Sequence, residues 1–318
     1  RTDAFHSVPG ECDSLKKAIL ADPVDLGLSL AVCYWVVGGG RRLKSVPGGA
    51  YRFNAAMLDA LASARFGEHP ANLCPVLAKE LADEAGIPSF IVDPVSVDEF
   101  WDIAKISGIS DLERPSWMHA LNQKAVCREI ARRLGGAYAD FNFIVAHLGY
   151  GISIAVHTGG RMVDGSGGRS NGPFSPERSG GLPAYPLVNL CYSGKYTHKQ
   201  MVDRLSLTGG MYDYLGTKDM LEIERRSAAG EAKARLVFDA FIYQVATEIA
   251  RYGASVCGKV DRIIITGGIA RSEAVVSGVQ ERVCYLAPIE VLAGEKEMES
   301  LALGALRVLR GVEEAKSY

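Results

Sequence analysis

His147 ends an apolar run and stands directly before the turn Gly149-Tyr150-Gly151, with Ser153 two residues further on. Glycine turns let backbone N–H groups close on a phosphate and tolerate positive φ. This turn is one candidate phosphate cradle. Gly267-Gly268, which follows a buried-strand pattern and precedes a helical one, is the second, with Ile269 beside it at a prospective helix N-terminus. Neither spells G-x-x-x-x-G-K-[ST] or G-x-G-x-x-G, and glycine turns also occur as plain structural turns. Arg178 lies in Pro173-Phe174-Ser175-Pro176-Glu177-Arg178-Ser179-Gly180-Gly181, where its fork of donors suits a phosphoryl or carboxylate group. Asp93 closes another apolar run at Asp93-Pro94, in a position that an acid also fills for structural reasons. Glu295, Glu297 and Glu299 surround the start of the last helical pattern. They are either a solvated first turn favoured by the helix dipole or a source of Mg²⁺ ligands, since Mg²⁺ takes one or two carboxylates plus substrate phosphates.

The elements that must hold these groups alternate between strand and helix. Leu28–Val37, Ser89–Val92, Phe141–Ala146, Ile152–Val156, Arg262–Thr266 and Leu286–Leu292 carry strand patterns, the third and fourth joined as a hairpin through the glycine turn. Asn54–Phe66, Leu73–Ala85, Arg114–Leu134 (with Pro115 near its start), most of Leu187–Val256, a segment from Arg271, and Met298–Leu309 carry helical spacing. Gly165–Gly172 reads as a loop. This mixture predicts an α/β protein with mixed sheets.

At 318 residues and 48% hydrophobic composition, two domains are favoured over one. A net charge of −2 gives no electrostatic reason to expect nucleic acid or an anionic membrane as partner. No apolar run approaches the roughly 20 residues of a transmembrane span. The N-terminus, which opens Arg1-Thr2-Asp3, has no signal-peptide layout. Seven scattered cysteines without a C-x-x-C pair read as reduced thiols of a cytoplasmic protein, most of them small core residues.

Several ordered stretches together resemble the butyrate kinase branch of the acetate kinase family. They are Pro47-Gly48-Gly49-Ala50-Tyr51-Arg52, Gly67-Glu68-His69, Phe90–Val95, His119–Ala125, Val145–Gly149, the Gly172–Gly181 loop, Leu190–Tyr196, Thr266–Ala270 and Glu299–Ala305. The resemblance implies two ribonuclease-H-like domains of the actin and sugar-kinase type with a nucleotide cleft between them. One domain would comprise 1–122 plus about 298–318, without its first strands, and the other 123–297. It implies ATP with Mg²⁺, transfer of the γ-phosphoryl group to a short-chain fatty acid such as butyrate to give acyl phosphate and ADP, and a homo-oligomer. By the same resemblance His147 and Arg178 stabilise the transferring group, Asp93 orients metal or substrate, and Glu299 accompanies Mg²⁺. His69 and Arg41 belong to the substrate side. Gly149, Gly151, Ser153, Gly267, Gly268 and Ile269 belong to the nucleotide loops, with Asp213 and Tyr214 near the base.

The chemistry agrees with that implication. A carboxylate is already ionised at pH 7, so the reaction needs in-line positioning and positive charge rather than a strong base. The chain departs from the family pattern in three places. No Asn-Pro-Gly-Ser-type turn precedes Phe5-His6-Ser7, Gly38-Gly39-Gly40 followed by Arg41-Arg42 replaces a G-R-G-G turn, and Tyr150 replaces a glycine. Two other readings stay open: a kinase for a branched-chain or propionic acid, and a catalytically weakened nucleotide-binding paralogue acting as sensor or partner subunit.

Overall fold

A computed structural model describes residue 16 and residues 33–40, 43–67, 72–167 and 171–318. Its contacts divide the chain into two units, Arg1–Ser96 with Glu297–Tyr318, and Val97–Lys296. The chain therefore leaves the first unit after Ser96, ahead of the expected change at 122/123. The reason is packing: Val97, Phe100, Ala104, Met118 and Ala120 form one apolar cluster with Ala155 and Met162 of the second unit's sheet.

The first unit holds a three-stranded sheet in the order β1-β3-β2, from β1 (Val36–Gly38), β2 (Ala50–Arg52) and β3 (Ser89–Val92). Strand β3 is buried throughout; β1 runs parallel to it and β2 antiparallel. Helix α1 (Ala55–Ala62) starts where the Asn54 side chain accepts the Met57 N–H. Helix α2 (Leu73–Ala85) buries Leu77, Ala78, Leu81 and Ala82 at helical spacing and stops at Gly86, left-handed at φ +66°. The C-terminal helix Glu297–Leu309 returns to pack on this sheet.

The second unit is built on a five-stranded sheet of order β6-β5-β4-β7-β8. Strands β4 (Phe143–Leu148), β5 (Ile152–Thr158) and β6 (Arg161–Gly167) form an antiparallel meander. Strands β7 (Arg262–Gly267) and β8 (Ile289–Ala293) then extend the sheet parallel to β4. Three meandering strands followed by two parallel ones reached through helices is the core expected of a ribonuclease-H-like domain. Helices α3 (Asp102–Lys105) and α4 (Ala120–Arg133) precede the sheet. Between β6 and β7 come α5 (Ala184–Cys191), α6 (His198–Ser206), α7 (Gly210–Leu215), α8 (Met220–Ala228) and α9 (Ala232–Gly253). Helix α9 buries Phe238, Phe241, Ile242, Val245 and Ile249 in a core shared with Ile144, Ile154, Ile263 and Ile265. Helix α10 (Glu273–Val283) is capped by the Ser272 hydroxyl, which accepts the Val275 N–H at 3.2 Å.

Three expectations change. Residues 114–119 form no regular element, and the helix begins only at Ala120. Arg114 is held by Asp164 at 2.8 Å and the Gly165 carbonyl at 3.0 Å, while the Ser116 hydroxyl donates to the Val97 carbonyl, so both side chains are committed to distant partners. Gly165–Gly167 is strand rather than loop, because Gly165 and Gly167 pair with Ala155 and Ser153 of β5. Of the six cysteines among the described residues only Cys127 is buried, where desolvation raises its thiol well above the usual value; the other five are exposed. Among the described residues no helix is long and apolar enough to cross a membrane.

Candidate active site

Strand β4 delivers His147 and the turn after it to one end of the five-stranded sheet. The ring of His147 is buried, with Nδ1 2.9 Å from Asn122 Oδ1 and Nε2 3.1 Å from Glu295 Oε1. It stacks on the ring of His119, centroids 3.8 Å apart and planes 11° from parallel. Asn122 comes from the first turn of α4 and Glu295 from the segment after β8, so three distant stretches converge on one imidazole.

Arg178 reaches the same turn from the other side. A Cβ at Gly151 would lie 2.5 Å from Arg178 Nη1 and 2.8 Å from Cζ, so glycine there is what lets the guanidinium cover the turn. The loop carrying Arg178 is tightly held. The Ser175 hydroxyl accepts the Glu177 and Arg178 N–H groups and donates to the Tyr150 carbonyl, and the Met211 and Tyr212 N–H groups bond the Ser175 and Pro176 carbonyls. Such support fixes a charge where it is needed, which a free surface arginine would not do.

The second glycine turn lies beside the first, since β7 pairs directly with β4. Gly267 has φ +90°, and a Cβ there would meet the Leu148 carbonyl oxygen at 2.3 Å. Gly268 faces open space. Both turns border a cavity of about 710 Å³ lined by Gly149, Tyr150, Gly268, Ile269, Arg271 and Glu295, among others. That volume lies within the range for a nucleotide-sized ligand. Lys218 lies in its wall; its ammonium is 2.9 Å from the Glu177 carboxylate, which raises it above the usual lysine value, and 5.6 Å from the centre of the Tyr150 ring. The Tyr150 side chain is exposed and borders this cavity.

The structure brings together His147, Gly149, Gly151, Arg178, Gly267, Gly268 and Ile269 of the expected set. The Ser153 hydroxyl is wholly buried, taking a hydrogen bond from Gln123 at 2.8 Å and lying 2.8 Å from His119 Nδ1. Asp213 and Tyr214 do not line this cavity; Asp213 is engaged by Arg204 at 2.9 Å, and this part of the wall is made by Asp219, Met220 and Leu221 at the start of α8. Asp93 lies in the first unit, where its carboxylate accepts the Gly49 N–H at 2.7 Å and its backbone is held at φ +40°. Glu299 is exposed in the first turn of the C-terminal helix, also in the first unit. His69 and Arg41 lie outside the described residues.

Sequence reasoning gave no role to His119, Asn122 or Gln123, and treated Glu295 only as one of three nearby carboxylates. A signal existed for two of them: Asn122 and Gln123 are polar, yet they sit on the buried face of α4. Among the described residues no group of three or more His, Cys, Asp or Glu converges to hold a metal by itself. Glu295, half exposed in the cavity wall beside His147, is a carboxylate suited to a cation that brings phosphate ligands of its own.

Residues 114–299 match the acetokinase family. The chain is 48% identical over 284 residues to probable butyrate kinases of Listeria monocytogenes serotype 4a (strain HCC23) and serovar 1/2a (strain ATCC BAA-679 / EGD-e), covering 89% of this chain and 80% of each relative. Its fold is shared with acetate kinase of Porphyromonas gingivalis, at TM-score 0.78 and 17% identity over 88% of this chain and 79% of that one. It is also shared with a propionate kinase of Francisella tularensis subsp. tularensis SCHU S4, at TM-score 0.72 and 21% identity over 91% and 82%. On these grounds the chain belongs to the acetokinase family, a family of carboxylate kinases.

Proposed function

We propose that the chain transfers the γ-phosphoryl group of ATP to butyrate, giving butyryl phosphate and ADP. The observation that carries this reading is the turn after β4: a buried imidazole on one flank, an arginine seated on Gly151 on the other, and a nucleotide-sized cavity opening from it. The 48% identity to probable butyrate kinases supports the choice of acid over acetate.

In this reading the acid, ionised at pH 7, attacks phosphorus in line and ADP leaves, with no covalent enzyme intermediate. His147 and Arg178 lie against the equatorial oxygens, where charge spreads in the transition state. The backbone N–H groups of the two glycine turns hold the phosphate chain, and Ile269, Met220 and Leu221 offer apolar surface to the nucleoside. Glu295, in the cavity wall beside His147, is a carboxylate that would take Mg²⁺, which when bound would supply positive charge to the phosphate oxygens. Asp93 orients the substrate side through the turn that it closes at Gly49.

The test is acyl hydroxamate formation from ATP, Mg²⁺ and a panel of acetate, propionate, butyrate and isobutyrate. Butyrate turning over fastest is the expected result. Preference for propionate or isobutyrate would change the substrate, and no product with any acid would overturn the kinase reading.

A further inference from the structure

Residues 313–318 follow the C-terminal helix and run along the edge of β2 that does not pair with β3. The Lys316 N–H donates to the Ala50 carbonyl at 2.8 Å, and the Lys316 carbonyl accepts the Arg52 N–H at 3.0 Å. Tyr51 and Lys316 thereby form a parallel bridge that extends the first unit's sheet by one short pairing. Tyr318 packs against the apolar cluster of Leu43, Tyr51, Met57 and Ile91. Its hydroxyl accepts the Lys44 N–H at 3.1 Å, and its carbonyl accepts the Asn54 amide at 3.2 Å.

The side chains of this tail hold the turn at Gly48-Gly49-Ala50. Glu313 Oε1 accepts the Ala50 N–H at 3.0 Å, and the Lys316 ammonium donates to the Gly48 carbonyl. Glu313 is itself fixed, because Arg307 Nε lies 2.9 Å from its Oε2. Asp93 holds the residue between them. Its carboxylate accepts the Gly49 N–H at 2.7 Å, and its own N–H donates to the Gly49 carbonyl at 3.0 Å. Two successive N–H groups therefore end on two different carboxylates. The fit is close: Gly49 has φ +130°, and a Cβ there would lie 2.8 Å from Glu313 Oε1 and 3.1 Å from Lys316 Nζ. Asp93 is buried at φ +40°, a backbone state that a residue with a side chain keeps only when its surroundings enforce it.

We infer that Glu313 and Lys316 are positioning residues for Asp93, acting through the Gly48-Gly49-Ala50 turn. Hydrogen bonds from an ammonium and to a carboxylate are stronger than neutral ones, so the two side chains fix the peptide planes on either side of Gly49. Without them the planes are free to rotate, since glycine resists rotation least of all residues. The Asp93 carboxylate, bound to the Gly49 N–H, would move with that peptide. The consequence for turnover rests on the proposed kinase reading, in which Asp93 orients the substrate side. It should fall on the acid rather than on ATP, because the nucleotide-sized cavity is lined by residues of the second unit alone.

The structural half is tested on the full chain without substrate, by amide hydrogen exchange. The Ala50 and Arg52 N–H groups, whose acceptors belong to the tail, should exchange slowly. Glu313→Ala should speed Ala50 about tenfold, whereas Glu313→Gln, which keeps an acceptor oxygen, should retain most of the protection. Rapid exchange of Ala50 in the folded, unmodified chain would overturn the inference whether or not the chain is a kinase. In turnover, Glu313→Ala and Lys316→Ala should each raise KM for the acid about fivefold, with KM for ATP within about twofold of the parent. Glu313→Gln should restore most of the loss. In an Asp93→Ala background, removing Lys316 should change kcat/KM for the acid by less than about twofold, as expected of residues that act through one group. Additive losses in that double variant, or an unmoved KM for the acid in folded Lys316→Ala, would leave the tail a structural clamp and overturn the inference. No turnover by the unmodified chain would overturn the kinase reading instead, and amide exchange would then decide this one. Should Glu313→Ala fail to fold, Lys316→Ala and the unmodified chain decide it.

Discussion

The two glycine turns at the end of the second unit's sheet are neighbours on paired strands, yet they are built for different tasks. The turn after β4 is crowded and polar. Arg178 lies over Gly151, and His147 beneath it is backed by buried side chains that reach Tyr138. The turn after β7 is supported by Ile263, Ile264 and Ile265, and its two glycines divide the work. Gly267 is jammed against Leu148 at positive φ, whereas Gly268 opens on the cavity. The first turn thus collects groups that can respond to developing charge, while the second sets backbone shape and leaves room. A glycine motif is therefore not informative by itself; what stands around the missing side chain decides its meaning.

The comparison can be broken most severely at Arg178. Arg178→Ala should lower kcat by at least about two orders of magnitude, as loss of a charge clamp on the transition state does, with the fold intact. Turnover within a few-fold of the unmodified protein would remove Arg178 from the chemistry. The next largest effect belongs to the second turn and to stability rather than rate. Gly267→Ala should cost about 2–3 kcal/mol in urea unfolding, because a methyl group would press on the Leu148 backbone in a conformation that disfavours a side chain. Gly268→Ala should unfold like the parent, since nothing lies within 4 Å of its Cβ position. Equal stability of the two variants would erase the division of labour.

Gly151→Ala sharpens the contrast from the other side. The atoms that its methyl group meets are the far end of Arg178, which can move, so stability should stay within about 1 kcal/mol. Activity should fall about tenfold, because the guanidinium is displaced from the turn. A smaller effect is expected from pH. His157 is held neutral in the fold, its proton affinity lowered below the ordinary value of 6.5 by burial and by Lys124 and Arg128. The unfolded chain therefore takes up a proton first as pH falls through about 6.5, and stability should decline from there toward pH 5. His157→Gln should flatten that decline; an unchanged slope would show that the layer behind the first turn does not titrate as described.

Much of the fold was legible in the linear pattern. Leu73–Ala85 and Ser89–Val92 are observed with the bounds their spacing predicts, and the hairpin around Gly149 follows from two apolar runs and a short turn. The candidate loop residues His147, Arg178 and Gly267-Gly268 were legible too, because histidine, arginine and paired glycines are conspicuous at strand ends. Where pattern failed, a long-range contact had taken over. Arg114 and Ser116 are bound to Gly165 and Val97, which denies helix to residues whose local spacing favoured it. Asp213 is claimed by Arg204, and the cavity wall passes to Asp219 and Met220.

What the sequence by itself determined is the α/β class, the family and the chemical types available at the strand ends, since these follow from local periodicity and from residue identity. Only the tertiary structure decided which of three nearby glutamates meets His147, that Ser153 turns inward to serve His119, and that Gln123 points its amide nitrogen at a backbone carbonyl. Those outcomes depend on partners 30 to 148 positions apart or on the rotation of a side chain within a packed layer. Neither leaves a period in the sequence: hydrophobic spacing reports which face is buried, not which buried polar atom finds which partner.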